Sequence, residues 1–222
     1  MRESVGVIIA AAGRGKRFGR EKQFIPLKRR PLYFYSIERF SKIKEVKEIV
    51  IVVPKDRIKS CKRYIDSKKI KKQIRIVEGK NTRTESVRVG LSNIFLSSVV
   101  LIHDAVRPFP SISLITRVIK ETKRFGACVP VIKITDTLKI IENGYVRKTL
   151  PRKNVFKAQT PQGFKKSIIL KAYSLYKGDF LDDSSIVELI GKKVKTTTGE
   201  VTNFKITFPY DYQLAKKLVG ER

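Results

Sequence analysis

The stretch Ile8 to Phe24, "IIAAAGRGKRFGREKQF", sets the glycines Gly13, Gly15 and Gly19 among the cations Arg14, Lys16, Arg17, Arg20 and Lys22. A glycine-rich turn after an apolar run lets backbone N–H groups approach a phosphate closely, and neighbouring cations neutralise the remaining charge. The stretch fits neither common phosphate-loop pattern. Ala10 stands where a P-loop opens on glycine, and Arg17 where it carries Ser or Thr. Phe18 takes the place of the third glycine of the dinucleotide fingerprint. The loop reads as an anion site of another kind.

Three further groups carry chemistry. In "VLIHDAVRPF" (100–109), Asp104 ends an apolar run, and Arg107 follows before Pro108 turns the chain. A carboxylate beside a phosphate site is a natural Mg²⁺ ligand, because Mg²⁺ favours one or two carboxylates plus phosphate oxygens and water. Arg107 has the geometry for bidentate phosphate binding, or for a turn salt bridge with Asp104. His103, the single histidine, alternates to the opposite strand face from Asp104 and reads as structural or supporting. In "EGKNTRTESV" (78–87), Gly79, Asn81 and Ser86 surround a helix start, suited to phosphate, to the edge of a base, or to capping alone. A late set holds Thr137, Arg152, "QTPQGF" (159–164), Asp182, Asp183 and Lys205. Taken singly, the acidic pair is a helix cap and Lys205 a solvated strand lysine.

The elements that must position these residues alternate. The runs 5–11, 48–53, 74–77, 98–103 and 127–132 are short, β-branched and mostly continuous, as strands buried on both faces of a parallel sheet are. Between them, helical patterns open with Pro31 at the first helical position, span 56–67, start at the capping box Thr82-x-x-Glu85, and run from Ser111 or Ser113 to just before Gly126. This order predicts a doubly wound α/β fold, with ligands beyond the carboxyl ends of the strands. Those ends precede residues 11–22, 78–86, 104–108 and the surroundings of Asp136. Residues 133–160 break the pattern. Two alternating segments flank Asn143-Gly144, a strong hairpin signal, and are polar enough to form a protruding arm. A helix (165–177), the "DDSS" loop, a short helix (184–190), strands at "KVKTTT" and "NFKIT", and a helix opened by Pro209 complete a single expected domain over 1–222.

Together and in this order, these segments resemble the 2-C-methyl-D-erythritol 4-phosphate cytidylyltransferases of the non-mevalonate isoprenoid pathway. "AAG-x-G-x-R" is shared with many sugar-nucleotide pyrophosphorylases. "KQF", "HDAVRP" and "TPQ" narrow the resemblance to the cytidylyltransferases, and it covers nearly the whole chain. It implies a Rossmann-like nucleotidyltransferase sheet and transfer of CMP from CTP to the polyol phosphate, with Mg²⁺ or another divalent cation. By the same resemblance, Ala11, Ala12 and Gly13 line the nucleotide, and Gly79, Asn81 and Ser86 contact cytosine. Arg17, Lys22 and Lys205 serve the reacting phosphate, Asp104 takes the metal, and Arg107, Thr137, Arg152 and Thr160 bind the polyol phosphate. The arm crosses to a partner subunit, giving a homodimer. The chain departs from the family habit at Glu21, Lys80, Asn81, Val106 and Leu181.

Composition bounds the reading. Forty-nine lysines and arginines against 20 acids give a net charge of +29, which favours anionic partners. The cations are spread along helix faces rather than gathered in a binding motif, so nucleic acid is not expected as a partner. A basic nucleic-acid-binding protein remains the distant alternative and a ribitol-5-phosphate cytidylyltransferase the near one. No run reaches the roughly 20 apolar residues of a membrane span. Cys61 and Cys128 lack metal spacing and read as buried thiols of a reducing compartment. With no cationic leader and cleavage site, the expected location is the cytoplasm.

Overall fold

The computed structural model describes residues 3–14 and 18–220. Its elements follow the predicted alternation. β1 (Val5–Ala10) leads past a 3₁₀ turn at Lys22–Phe24 into a small hairpin, β2 (Pro26–Leu27) and β3 (Arg30–Pro31), then α1 (Leu32–Ser41). β4 (Val46–Val53), α2 (Ile58–Asp66), β5 (Gln73–Glu78), α3 (Arg83–Ser92), β6 (Val99–Asp104), α4 (Ile112–Phe125) and β7 (Ala127–Lys133) come next. The arm is β8 (Leu138–Glu142) and β9 (Tyr145–Leu150). The chain then returns through β10 (Phe156–Ala158), β11 (Gln162–Lys165), α5 (Lys166–Leu175), α6 (Asp183–Leu189), β12 (Lys195–Thr198) and α7 (Pro209–Gly220).

β6, β1, β4 and β5 lie parallel and adjacent in an eight-stranded sheet, which continues through antiparallel β11 to β7. Side-chain alternation sorts the core onto two faces. Val7, Ile9, Ile49 and Ile51 pack with α1, α2 and α4, while Ile8, Val50 and Val52 pack with α3, α5 and α6. Burial on both faces explains why these strands read as continuous apolar runs. In register, Ala10 lies opposite both Asp104 and Val52, so the carboxyl ends of the parallel strands open on one rim. The site loops start there, as open parallel sheets require.

Local signals act as predicted. Thr82 and Glu85 form the full capping box, Ser111 caps α4, and Gly126 follows its last residue. Asn143 and Gly144 adopt φ of 51° and 84°, the left-handed pair that a two-residue hairpin needs. The arm forms a separate two-stranded sheet, as its polarity predicts.

Two expectations change, and one strand is new. Pro31 is the residue before α1 rather than its first helical residue. "NFKIT" alternates like a strand but forms none. Its backbone tie to the sheet region runs from the Ile206 N–H to the Val106 carbonyl, and the Asn203 amide reaches instead to the Thr160 carbonyl. β11 is an element to which the sequence patterns assign nothing, because Pro161 and Gly163 in "TPQGF" mask a strand. It inserts antiparallel beside β6, and Thr160 is thereby placed next to Asp104.

Candidate active site

The cleft at the strand rim has a volume of about 330 Å³. Its floor is the turn Ala11–Gly13 and its far wall the start of α3, with Asn81, Thr82 and Ser86. Gly79 lets the two meet: a Cβ there would lie 2.3 Å from the Ala12 Cβ and 3.0 Å from the Ser86 Oγ, so any side chain would force them apart. Among the described residues, Lys22, Lys80, Arg83 and Lys205 line the cleft with a single carboxylate, Asp104. Such an excess of cations among the described lining residues makes a site for a polyanion of higher charge than one phosphate.

Gln23 shapes the floor. It is buried, and its Nε2 donates to the carbonyls of Ala11 (2.8 Å) and Gly13 (2.6 Å). The Ala11 N–H donates to the Val52 carbonyl at 2.8 Å, so with the carbonyls turned onto Gln23 the turn offers an anion the amides of Ala12 and Gly13. Glu21, where the family habit is proline, is ion-paired to Arg57 at 2.7 Å, a side-chain tether in place of a rigid ring. Lys22 is buried, donates to the Thr207 carbonyl at 3.3 Å and lies over the Phe18 ring.

Asp104 is the electrostatic centre. Arg83 Nε donates to Oδ1 at 3.0 Å, Lys205 Nζ to Oδ2 at 2.9 Å, and Arg107 Nε lies 3.9 Å from Oδ2. Burial would raise the carboxyl. Arg83, then Lys205 and Arg107, outweigh it and hold Asp104 well below the ordinary carboxylate range. Arg107 Nη1 is held by the Asn203 carbonyl at 2.9 Å.

Behind Asp104, Thr160 and His103 form a buried relay. The Asp104 N–H donates to the Thr160 Oγ1, whose hydroxyl pairs with His103 Nδ1 at 3.1 Å, and His103 Nε2 donates to the Arg107 carbonyl at 2.9 Å. The carbonyl fixes the proton on Nε2, leaving Nδ1 to accept. Burial outweighs these contacts and lowers the imidazole to about 4. His103 is thus a neutral strut bracing the strand end, the supporting role its strand parity implied.

Of the predicted residues, the structure gathers Ala11, Ala12, Gly13, Lys22, Asn81, Ser86, Asp104 and Lys205 around the cleft, with Gly79 beneath. Arg107 and Thr160 stand behind Asp104 rather than on the cleft wall. Lys205 arrives on a loop and not on the expected strand. Thr137 and Arg152 are exposed on the arm, where Arg152 donates to the Thr135 carbonyl. Arg17 lies outside the described residues. Sequence reasoning missed Gln23 and Arg83. Arg83 had a signal: a cation on the first residue of a helix opposes the helix dipole.

The model of the family described as IspD, 2-C-methyl-D-erythritol 4-phosphate cytidylyltransferase, matches residues 5–221. A protein of that name from Clostridium perfringens (strain SM101 / Type A) is 38% identical over 218 residues, covering 96% of this chain and 97% of its own. One from Clostridium novyi (strain NT) is 38% identical over 219 residues, covering 96% and 95%. Among solved structures, the 4-diphosphocytidyl-2C-methyl-D-erythritol synthase from Anaerococcus prevotii DSM 20548 superposes with a TM-score of 0.85 at 33% identity, over 98% of this chain and 99% of that one. The 2-C-methyl-D-erythritol 4-phosphate cytidylyltransferase from Thermus thermophilus gives 0.80 at 32%, over 99% and 100%. With its rim cleft and a match running almost end to end, the chain belongs to the 2-C-methyl-D-erythritol 4-phosphate cytidylyltransferase family.

Proposed function

We propose that this chain transfers CMP from CTP to 2-C-methyl-D-erythritol 4-phosphate, releasing pyrophosphate. The observation that carries the reading, beside family membership, is the convergence of Lys22, Arg83 and Lys205 with Asp104 over the Ala11–Gly13 turn. A phosphate oxygen of the polyol attacks the α-phosphorus in line. A new P–O bond forms as the bond to the bridging oxygen breaks, and its electron pair leaves with pyrophosphate. The attacking phosphate is already ionised, so the task is to bring two anions together and to stabilise charge growing on the α-phosphoryl oxygens and leaving group. The turn's amides and Lys22 hold the triphosphate, and Lys205 serves the reacting phosphate, with Arg17 assigned beside Lys22. Asn81 and Ser86 stand at the base end of the cleft.

Mg²⁺ fits the donor set. Asp104 is ionised and is the one carboxylate among the described lining residues, which suits an ion that takes one carboxylate plus phosphate oxygens and water. Among the described residues no group of three or more His, Cys, Asp or Glu offers an all-protein cage. When bound, the ion neutralises triphosphate charge. Lys205, held to Asp104 by one bond from a flexible side chain, is the partner free to turn toward phosphate.

The arm completes the reading. Thr137 and Arg152 bind the polyol phosphate in the neighbour's cleft of a homodimer, with Arg107 and Thr160 bracing Asp104 from behind. Exposed Ile141, Tyr145 and Val146 on the arm support burial against a second copy. The free, buried Cys61 and Cys128 support a cytoplasmic location. Nucleic acid has no part in this reading.

Pyrophosphate release from CTP and a divalent cation, with each polyol phosphate in turn, tests it. Turnover with the methylerythritol phosphate is expected. Preference for ribitol 5-phosphate, or silence with both, would overturn the assignment.

A further inference from the structure

Arg83 sits where helix physics disfavours it. It is the first residue of α3, behind a complete capping box, so its charge faces the positive end of the helix dipole. A local rule broken at a cleft wall, even beside Glu85 in the same first turn, points to another demand on the residue. The demand is visible in its guanidinium, which bridges two carboxylates. Nε donates to Asp104 Oδ1 at 3.0 Å and Nη2 to Asp183 Oδ2 at 2.7 Å.

Asp183 is fully buried and does not line the cleft. Its other oxygen accepts from the Tyr173 hydroxyl at 2.7 Å, and its N–H donates to Gln162 Oε1 at 3.1 Å. Gln162 belongs to β11, which pairs with β6, the strand that ends at Asp104. The loop from Asp104 through Arg83, Asp183 and Gln162 back to β6 therefore closes on itself. Arg83 is fixed at both ends, whereas Lys205 holds Asp104 by a single contact.

We propose that Arg83 is a positioning residue for the transfer reaction: anchored on buried Asp183, it sets the orientation of the Asp104 carboxylate and, through it, the starting place of Lys205. The inference rests on the reaction assigned above. Without the anchor, the carboxylate turns about its own side-chain bond and Lys205 follows it. Such misplacement of a reacting group costs on the order of tenfold to a hundredfold in rate, with little effect on ground-state binding.

The test uses the full-length protein. Arg83→Ala, Arg83→Lys and Asp183→Asn are assayed for kcat and for KM toward CTP, with the folded fraction counted by stoichiometric CTP binding. Expected per folded molecule is a roughly tenfold or greater loss of kcat in all three, with KM for CTP within about twofold. Arg83→Lys keeps the charge but cannot span two carboxylates, so it separates bridging from charge. Tens of millimolar guanidinium should restore Arg83→Ala at least severalfold, and tetramethylammonium at equal ionic strength should not. If Asp183→Asn fails to fold, Arg83→Lys and the rescue decide. Unchanged kcat per folded molecule, or equal rescue by both ions, would overturn the inference. A wild type silent with every polyol phosphate would overturn the reaction assignment, and the inference with it. A working wild type with unaffected variants overturns the inference alone.

Discussion

Asp104, at the centre of the cleft, is held by Arg83 from 21 residues earlier and by Lys205 from 101 residues later. In the arm, the side-chain tie from Arg152 to the Thr135 carbonyl spans 17 residues, and β8 and β9 pair only with each other. The cleft is over-determined by contacts from five parts of the chain. The arm is determined by its own turn and leaves Tyr145 81% exposed. Fixed dipoles and charges can stabilise a transition state only where they need not reorganise, so long-range wiring belongs in the cleft. A lone two-stranded hairpin is marginal in water and gains order from whatever covers it, which suits an arm that docks on a second copy.

The sharpest way to break this contrast is to remove a cleft cation. Lys205→Ala and Lys22→Ala should each lower kcat by about two to three orders of magnitude, roughly 3–4 kcal/mol, with circular dichroism unchanged. Normal turnover in both would mean that the wiring around Asp104 is structural only.

The buried relay behind Asp104 gives a stability test that the arm should not share. His103 is lowered to about 4 from an ordinary 6.5. Between those values the unfolded chain takes a proton that the folded chain refuses. The contribution is therefore complete above pH 6.5 and lost as pH falls toward about 4, a gap worth about 3 kcal/mol. Denaturant unfolding of the wild type should show this slope, and His103→Gln should flatten it. Equal slopes would show that His103 is not held neutral.

On the arm, Arg152→Ala should cut kcat/KM for the polyol phosphate by roughly tenfold to a hundredfold, about 1.5–3 kcal/mol, without changing CTP binding. Refolding Arg152→Ala with Lys205→Ala in equal amounts sharpens the contrast. If arms cross, each mixed dimer holds one site with both wild-type contributions, and roughly a quarter of wild-type activity returns. No recovery would place each arm over its own cleft. The smallest effect is expected at the turn: Gly144→Ala, at φ 84°, should destabilise the hairpin by about 1 kcal/mol and leave the cleft's CTP affinity intact.

Legibility followed the same division. The parallel strands were readable because burial on both faces leaves no polar alternation, and the capping box and Asn143-Gly144 are local chemistry. The Ala11–Gly13 turn and Asp104 were readable because strand ends in a parallel sheet are ligand positions. β11 was hidden by the Pro161 and Gly163 that shape it. The failure of 203–207 to become a strand was hidden too, since alternation announces a strand without saying whether an edge is free to receive it. Arg83 offered only a charge of the wrong sign at a helix start, a clue whose meaning lay 21 residues away at Asp104 and 100 away at Asp183.

By itself, then, the sequence determined most of the elements, their order, the rim where ligands gather and most of the residues that face it, because propensity, capping and periodicity act over a few residues. Tertiary structure alone decided that Arg83 joins two carboxylates, that Gln23 claims the carbonyls of the turn, that Thr160 and His103 brace Asp104, and that Lys205 reaches the centre from a loop. Those are pairings between distant segments, and their partners are chosen by which strands become neighbours in the sheet.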